Sequence, residues 1–156
     1  MATIISSVPR GALVAPTEVD SARRDATLDV LIRATTLPQV YRFAARLLVK
    51  NGHHQGDYMP DPFDWRLTTL HVDRPLSIVA AIRAVANGNP HVVSPFSELA
   101  IRQLAARLLV DGEGPFGETR LAQELHVDSW GDVEGRTVES VVAVLEAAAD
   151  AAEVTA

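Results

Sequence analysis

Residues 73–88 read DRPLSIVAAIRAVANG, and this stretch decides the fold. Asp73 is a typical helix N-cap, and the closing Asn-Gly pair is a typical helix stop. After Arg74 and Pro75 in the first turn, only Ser77 and Arg83 are polar before the closing Asn-Gly pair. A helix that is apolar on nearly every side must be buried, so we predict that this segment is the central helix of the domain.

Patterns of the same kind predict further helices around the central one, so that we expect an all-α, compact single-domain bundle of about six helices. Aromatic and polar residues alternate only over residues 63–72, where we expect an irregular loop or a single hairpin. We expect the remaining helices over residues 17–35, 38–51, 94–111 and 118–126, and a last one from an N-cap at Thr137 onwards. The last helix is expected to have a solvated face that carries Glu139, Glu146, Asp150 and Glu153.

The chain is expected to divide into an extended arm over residues 1–16 and a single helical domain over 17–156. We expect a partner subunit to order the arm, which would make the protein a homodimer. The segment AARLLV occurs at 44–49 and again at 105–110, which suggests two duplicated helix-loop-helix units over 38–88 and 99–150. In that case their loops approach the same end of the bundle or face each other across it, and a functional site is expected there.

The composition excludes several classes of function. The 156 residues include no cysteine, which removes disulfides, thiolate nucleophiles and iron–sulfur clusters. A net charge of -6 argues against general nucleic-acid binding, and glycines interrupt the helix-turn-helix that residues 121–128 suggest. No apolar run approaches the length of a membrane span, and no signal peptide is recognisable, so we expect a cytoplasmic protein.

The stretch from Gly52 to Tyr58 is the densest in chemical groups. His53, His54, Asp57 and Tyr58 place two imidazoles, a carboxylate and a phenol just after a helix end. Imidazoles titrate near neutral pH, so we predict that one histidine is a base, that Asp57 orients it and that Tyr58 donates a hydrogen bond. The alternative is a solvated helix-exit loop.

A second candidate segment opens the last helix at residues 130–137. There Arg136, or Arg74 in the central segment, is predicted to hold an acidic head group of the substrate, and Trp65 and Trp130 to wall the pocket. The alternative is a structural Trp130, with Arg136 paired to a neighbouring carboxylate of the loop.

We expect neither a metal nor an organic cofactor. His71, Asp73 and His126 imitate an iron-binding triad, but that arrangement belongs to a β-sandwich scaffold. Residues 112–117 fit the pattern Gly-x-Gly-x-x-Gly without the preceding strand that a dinucleotide site needs, so we predict a plain loop.

Two motifs resemble a group of small actinobacterial and actinophage helical proteins of unknown function. They are Gly-x-x-Gln-Gly-x-Tyr and Trp-x-Asp-x-x-Gly-Arg-Thr, carried here by Gly52, Gln55, Gly56, Tyr58, Trp130, Asp132, Gly135, Arg136 and Thr137. The resemblance covers roughly residues 38–150. It implies a helical fold and an actinobacterial source, which an excess of 13 Arg over one Lys also suggests.

The function predicted from these residues is cofactor-independent acid–base catalysis by a small lyase, cyclase or isomerase. Its substrate is expected to be an apolar, polyketide-like small molecule of secondary metabolism. The alternative is a non-catalytic helical interaction or regulatory protein that dimerises through its N-terminal arm.

Overall fold

The computed structural model describes residues 33–56 and 73–156, and every structural statement below refers to these ranges. They contain no strand and five helices, which we number α1 (Leu37–Asn51), α2 (Ile78–Asn87), α3 (Pro95–Ala105), α4 (Arg120–Gly131) and α5 (Val138–Val154). The all-α prediction is confirmed, with five helices in the described part rather than six. The predicted arm, the predicted loop at 63–72 and most of the predicted helix at 17–35 lie outside the described residues.

Helix α2 is the central helix, as predicted. All residues from Ile78 to Ala86 are buried, and the helix packs against α1, α3 and α4. The predicted start at Asp73 is wrong, because the side chain of Ser77 caps the helix by accepting the amide of Ala80 at 3.1 Å. The preceding residue, Leu76, cannot join the helix since its backbone pairs with residues 52–54 instead.

Helices α1 and α5 form the most extensive helix pair. The predicted cap of α5 is confirmed, since Thr137 and Ser140 accept each other's backbone amides at 3.2 Å. The predicted acidic face of α5 is not simply solvated. Glu146, Asp150 and Glu153 surround Arg42 of α1, with the Glu146 and Asp150 oxygens at 3.6 and 3.0 Å from its nitrogens.

Helix α3 ends at Ala105, six residues before the predicted stop. The chain then makes a two-residue hairpin turn in which Val110 and Glu113 exchange backbone hydrogen bonds, both of 2.9 Å. Its central residues, Asp111 and Gly112, have φ of 52° and 81°, as a type I′ turn requires. Asp-Gly is therefore a hairpin turn here and not a helix stop.

Helix α4 extends five residues beyond the predicted 118–126 and has an unusual distribution of polarity. Leu121 and Leu125 are 61% and 47% exposed, whereas Gln123 and His126 are buried. The buried imidazole of His126 lies 2.9 Å from the carbonyl oxygen of Leu108 and fixes the chain after α3. Polar groups on the inner face of this helix therefore form part of the interior.

The two AARLLV segments have different local structures. Residues 44–49 lie within α1, whereas of residues 105–110 only Ala105 is helical. Helix α4 has no counterpart among the described residues of the first proposed unit. Duplication of the units 38–88 and 99–150 stays a prediction.

Candidate functional site

Two loops that the sequence analysis singled out meet in space. We call their contact the loop junction: residues 52–56, which follow α1, and residues 131–136, which join α4 to α5. The Gln55 side-chain amide donates to the carbonyl oxygens of Gly131 and Val133 at 2.8 and 3.1 Å. The Gly56 amide donates to the Asp132 carboxylate at 2.9 Å. The junction is thus closed by both backbone and side-chain hydrogen bonds.

Segment 52–54 is held in place by α2 as well as by α4. The amide of Leu76 donates to the Gly52 carbonyl at 3.2 Å, and the amide of His54 donates to the Leu76 carbonyl at 2.9 Å. Gly52 has a φ of 93°, which an L side chain rarely adopts, and this lets the chain leave α1 toward α2. His53 is therefore positioned between two helices by a fixed backbone.

The His53 side chain is half-buried against α4. A β-carbon placed on Gly131 would lie 3.0 Å from His53 Nε2 and 3.2 Å from Ile78 Cδ1. Burial lowers the pKa of His53 below its usual value, and the positive charges of His54 and Arg136 act in the same direction, while Asp132 opposes them. At neutral pH the ring is accordingly uncharged and can accept a proton.

Asp128 lies one helical turn before Gly131, on the face of α4 toward α2. Its carboxyl group accepts hydrogen bonds from the Ser77 side chain and the Val79 backbone amide, yet burial raises its pKa to about 7. The neighbouring carboxylates Asp132 and Glu124 add to this rise. The Oδ1 atom is buried and has no hydrogen-bond partner. Near neutral pH Asp128 is therefore protonated far more often than an exposed aspartate.

A second charged group on the same face of α4 is Glu124, four residues before Asp128. It forms an ion pair with Arg83 of α2, and both side chains are largely buried, at 13% and 9% exposed. A buried ion pair of this kind costs desolvation free energy, which an apolar pair would avoid. The contact of α2 with α4 is consequently polar at two successive turns.

Trp130 and Arg136 interact with each other at the far side of the junction. The guanidinium carbon of Arg136 lies 3.7 Å from the centre of the Trp130 ring, and its Nε donates to the Trp130 carbonyl at 3.0 Å. Within the described ranges Arg136 makes no ion pair, so the alternative pairing with a loop carboxylate is not found. The pair closes the junction next to His53.

The structure therefore brings together three of the predicted site residues, namely His53, Trp130 and Arg136. His54 is half-buried beside them, and Arg74 is buried two residues before Leu76. Asp57, Tyr58 and Trp65 lie outside the described residues.

Neither Asp128 nor Glu124 was among the predicted site residues. Glu124 lies within the predicted helix 118–126, whereas Asp128 lies beyond its predicted end, so the two were not placed on one helix face. A usable signal existed in their spacing, because two carboxylates at i and i+4 lie on one face of a helix.

Among residues 33–56 and 73–156, no group of three or more His, Asp or Glu side chains is placed to hold a metal ion. No helix in the described ranges is long and apolar enough to cross a bilayer. Two grooves formed by described residues lie between α3 and α4, and neither is lined by His53 or His54.

Fold and junction together define a class: an all-α protein in which two loops meet beside a histidine whose pKa is lowered by burial, and in which a nearby helix carries a carboxyl group whose pKa is raised by burial. The chain belongs to the DUF6197 family, a family of unknown function, whose model matches residues 32–151. The match covers both loops of the junction and all five described helices except the last residues of α5. Comparison with curated proteins and with solved structures gives no match.

Proposed function

We propose that the protein is a small acid–base enzyme of the lyase, cyclase or isomerase type, with the loop junction as its active site. The observation that carries this proposal is that the start of α2 lies next to both His53 and Asp128, two groups whose pKa values are shifted by burial. One is an imidazole kept neutral by burial and the other a carboxyl group kept partly protonated by burial. Sites of acid–base catalysis typically contain a base and an acid whose pKa values are shifted in opposite directions by their surroundings.

The two groups are linked through a single turn of α2. Ile78 packs with His53 against Gly131, while its neighbours Ser77 and Val79 bind the Asp128 carboxyl group. The Asp132 carboxylate acts on both groups and raises the pKa of each. Burying these polar groups costs stability, and a catalytic role accounts for that cost.

A dehydration illustrates the chemistry that the pair supports. The neutral His53 ring removes the proton α to a carbonyl group, the electron pair forms the carbon–carbon double bond, and the β-hydroxyl leaves as water with the Asp128 proton. The two residues then exchange protons with solvent to restore the starting state. Conjugate-addition ring closure uses the same transfers in the opposite direction.

The substrate class, the cellular location and the source of the protein are proposed from the sequence. We propose an apolar, polyketide-like substrate with an acidic head, in the cytoplasm of an actinobacterial host. The excess of Arg over Lys and the motif resemblance support the source. His54, Asp57, Tyr58, Trp65 and Arg74 stay predicted contributors to the same site.

The test uses a β-hydroxyacyl N-acetylcysteamine thioester, whose dehydration is followed by the ultraviolet absorbance of the enoyl product. We expect the protein to accelerate the reaction, and His53→Gln and Asp128→Asn each to lower the rate by about 100-fold or more. His91→Gln and Asp111→Asn, at exposed positions away from the junction, are the matched controls.

A substrate-independent measurement accompanies the rate assay. In an NMR titration, the pKa of His53 should lie below the ordinary value of a histidine, and Asp128 should titrate near pH 7. Ordinary pKa values for both groups would refute the proposed site whatever the thioester result.

A second candidate function is that of a helical interaction protein that binds another copy of this chain. The exposure of Leu121 and Leu125 on the outward face of α4 favours it, because apolar side chains one turn apart suit a helix–helix contact. The N-terminal arm is the other proposed contact. Light scattering of Leu121→Glu/Leu125→Glu and of a chain lacking residues 1–16 tests both, and an unchanged dimer mass in both would exclude them.

A further inference from the structure

A groove of about 550 Å³ lies between α3 and the segment that leads into α4, away from the loop junction. It continues into a smaller groove of about 320 Å³, and Arg102, Glu118 and Gln123 line both. The larger volume lies within the range typical of small-molecule sites in proteins. None of these residues belongs to the acid–base site proposed above.

Gln123 is a buried polar residue that faces this groove. Only 8% of it is exposed, and its side chain lines both grooves. The amide offers two N–H donors and one acceptor oxygen at the groove wall. A ligand in the groove can therefore form hydrogen bonds with it.

Arg102, on the outer face of α3, is the cation of the groove. The neighbouring Arg120 pairs with Glu98 and Glu124, both at 3.5 Å, whereas Arg102 forms no ion pair with a described residue. Its guanidinium group presents a fork of donors that matches a carboxylate. The amino end of α4 is adjacent and also favours a negative charge.

Phe116 supplies an apolar wall. Its ring is 78% exposed, although the loop that carries it is fixed at both ends. The hairpin turn at 110–113 holds one end, and Gly117 packs against Ala122 at the other, where an added β-carbon would lie 3.6 Å from that side chain. The groove is therefore preformed and does not need to fold around a ligand.

From these contacts we propose that the groove binds a small organic monocarboxylate with an apolar body. Arg102 pairs with the carboxylate, the Gln123 amide donates to it, and Phe116 covers the apolar part. Glu118 on the rim carries a negative charge that disfavours a second carboxylate on the ligand, which is why a monocarboxylate is preferred. This site is additional to the proposed acid–base function and does not depend on it.

The experiment is an NMR titration of the full-length, ¹⁵N-labelled protein with phenylacetate as the probe. We expect saturable shifts at the amides of Phe116, Gly117 and Gln123. Three analogues of phenylacetate test the importance of its single negative charge. Phenylacetamide is neutral, phenethylamine is positively charged, and phenylmalonate carries two negative charges. Each is expected to bind at least about tenfold more weakly than phenylacetate.

Variants then assign the binding energy to residues. Arg102→Gln should weaken phenylacetate binding at least about tenfold, while the matched control Arg107→Gln, at an exposed position just after α3, should leave it unchanged. Phe116→Ala should weaken phenylacetate and phenylacetamide alike, since it removes only the apolar contact. Absence of shifts at the groove, equal binding of phenylacetamide, or unaltered binding by Arg102→Gln would each overturn the proposal.

Discussion

The imidazole of His53 packs directly on Gly131, so closely that a β-carbon at that position would lie 3.0 Å from Nε2 and 3.3 Å from Cε1. The absence of a side chain at the last residue of α4 is what makes room for the ring. In a helix, glycine is otherwise about 1 kcal/mol less favourable than alanine. The contact with His53 thus explains why glycine occupies this place.

The first prediction follows from that contact. We expect Gly131→Ala to lower the free energy of unfolding by about 1–2 kcal/mol, because the clash with His53 and Ile78 outweighs the gain in helix propensity. Urea unfolding measures the change.

A double variant separates the clash from other effects of the added methyl group. In the His53→Ala background, Gly131→Ala should become neutral or stabilising. Gly114→Ala, where an added β-carbon meets open space, serves as the control. If Gly131→Ala destabilises equally with and without His53, the contact is not the cause.

The second prediction concerns the closure of the loop junction by Gln55. Gln55→Ala removes both hydrogen bonds to the α4–α5 loop and should cost about 0.5–1.5 kcal/mol of unfolding free energy. Because burial is the main cause of the low pKa of His53, opening the junction should raise that pKa toward its usual value. An NMR titration of the histidine rings measures it.

The matched control is Gln103→Ala, at an exposed position on α3. It should leave the pKa of His53 unchanged. A Gln55→Ala variant whose His53 titrates as in the unsubstituted protein would show that the loop does not control burial of the ring.

The central helix illustrates what the sequence could predict. Its residues are apolar on nearly every side, so its burial could be predicted. Its end at Asn87-Gly88 could also be predicted, because this pair of residues stops a helix through its own backbone preferences. Its start could not be predicted, because Asp73 and Ser77 are equally good caps. The choice between them depends on the pairing of Leu76 with a loop more than twenty residues earlier.

The residues of the candidate site could likewise be predicted only in part from the sequence. His53 and Gln55 stand in a conspicuous loop, and their chemistry was visible in the sequence. Asp128 was missed because the predicted helix ends at His126, two residues before it. The helix continues to Gly131 and turns this carboxyl group toward α2, which depends on the packing of the two helices.

The third prediction concerns Arg42, which joins α1 to three carboxylates of α5. Arg42→Gln leaves Glu146, Asp150 and Glu153 close together without their cation, so we expect a decrease of a few degrees in the melting temperature at low salt. All of these groups contact solvent, so the decrease should shrink at about 1 M NaCl.

Lys50→Gln is the control for Arg42, since it removes one positive charge from the same side of α1 at an exposed position. It should change the melting temperature little at either salt concentration. An effect of Arg42→Gln that does not depend on salt would point to lost packing of the alkyl chain and not to the ion pairs.

The fourth prediction is a pH dependence of stability that originates in Asp128. Its pKa is about 7 in the folded protein, against an ordinary value near 3.8 when unfolded. Between these values the folded state binds more protons than the unfolded state, so the free energy of unfolding falls as the pH rises from about 4 to 7 and stays lower above that.

Asp128→Asn removes the titration while keeping an oxygen that accepts from Ser77 and Val79. We therefore expect the variant to be more stable than the unsubstituted protein at pH 8, by about 1–3 kcal/mol, and to lose this advantage at pH 5. Urea unfolding at the two pH values measures the difference, with Asp111→Asn in the exposed hairpin turn as the control. An advantage of the same size at both pH values would mean that the buried carboxyl group is not the source.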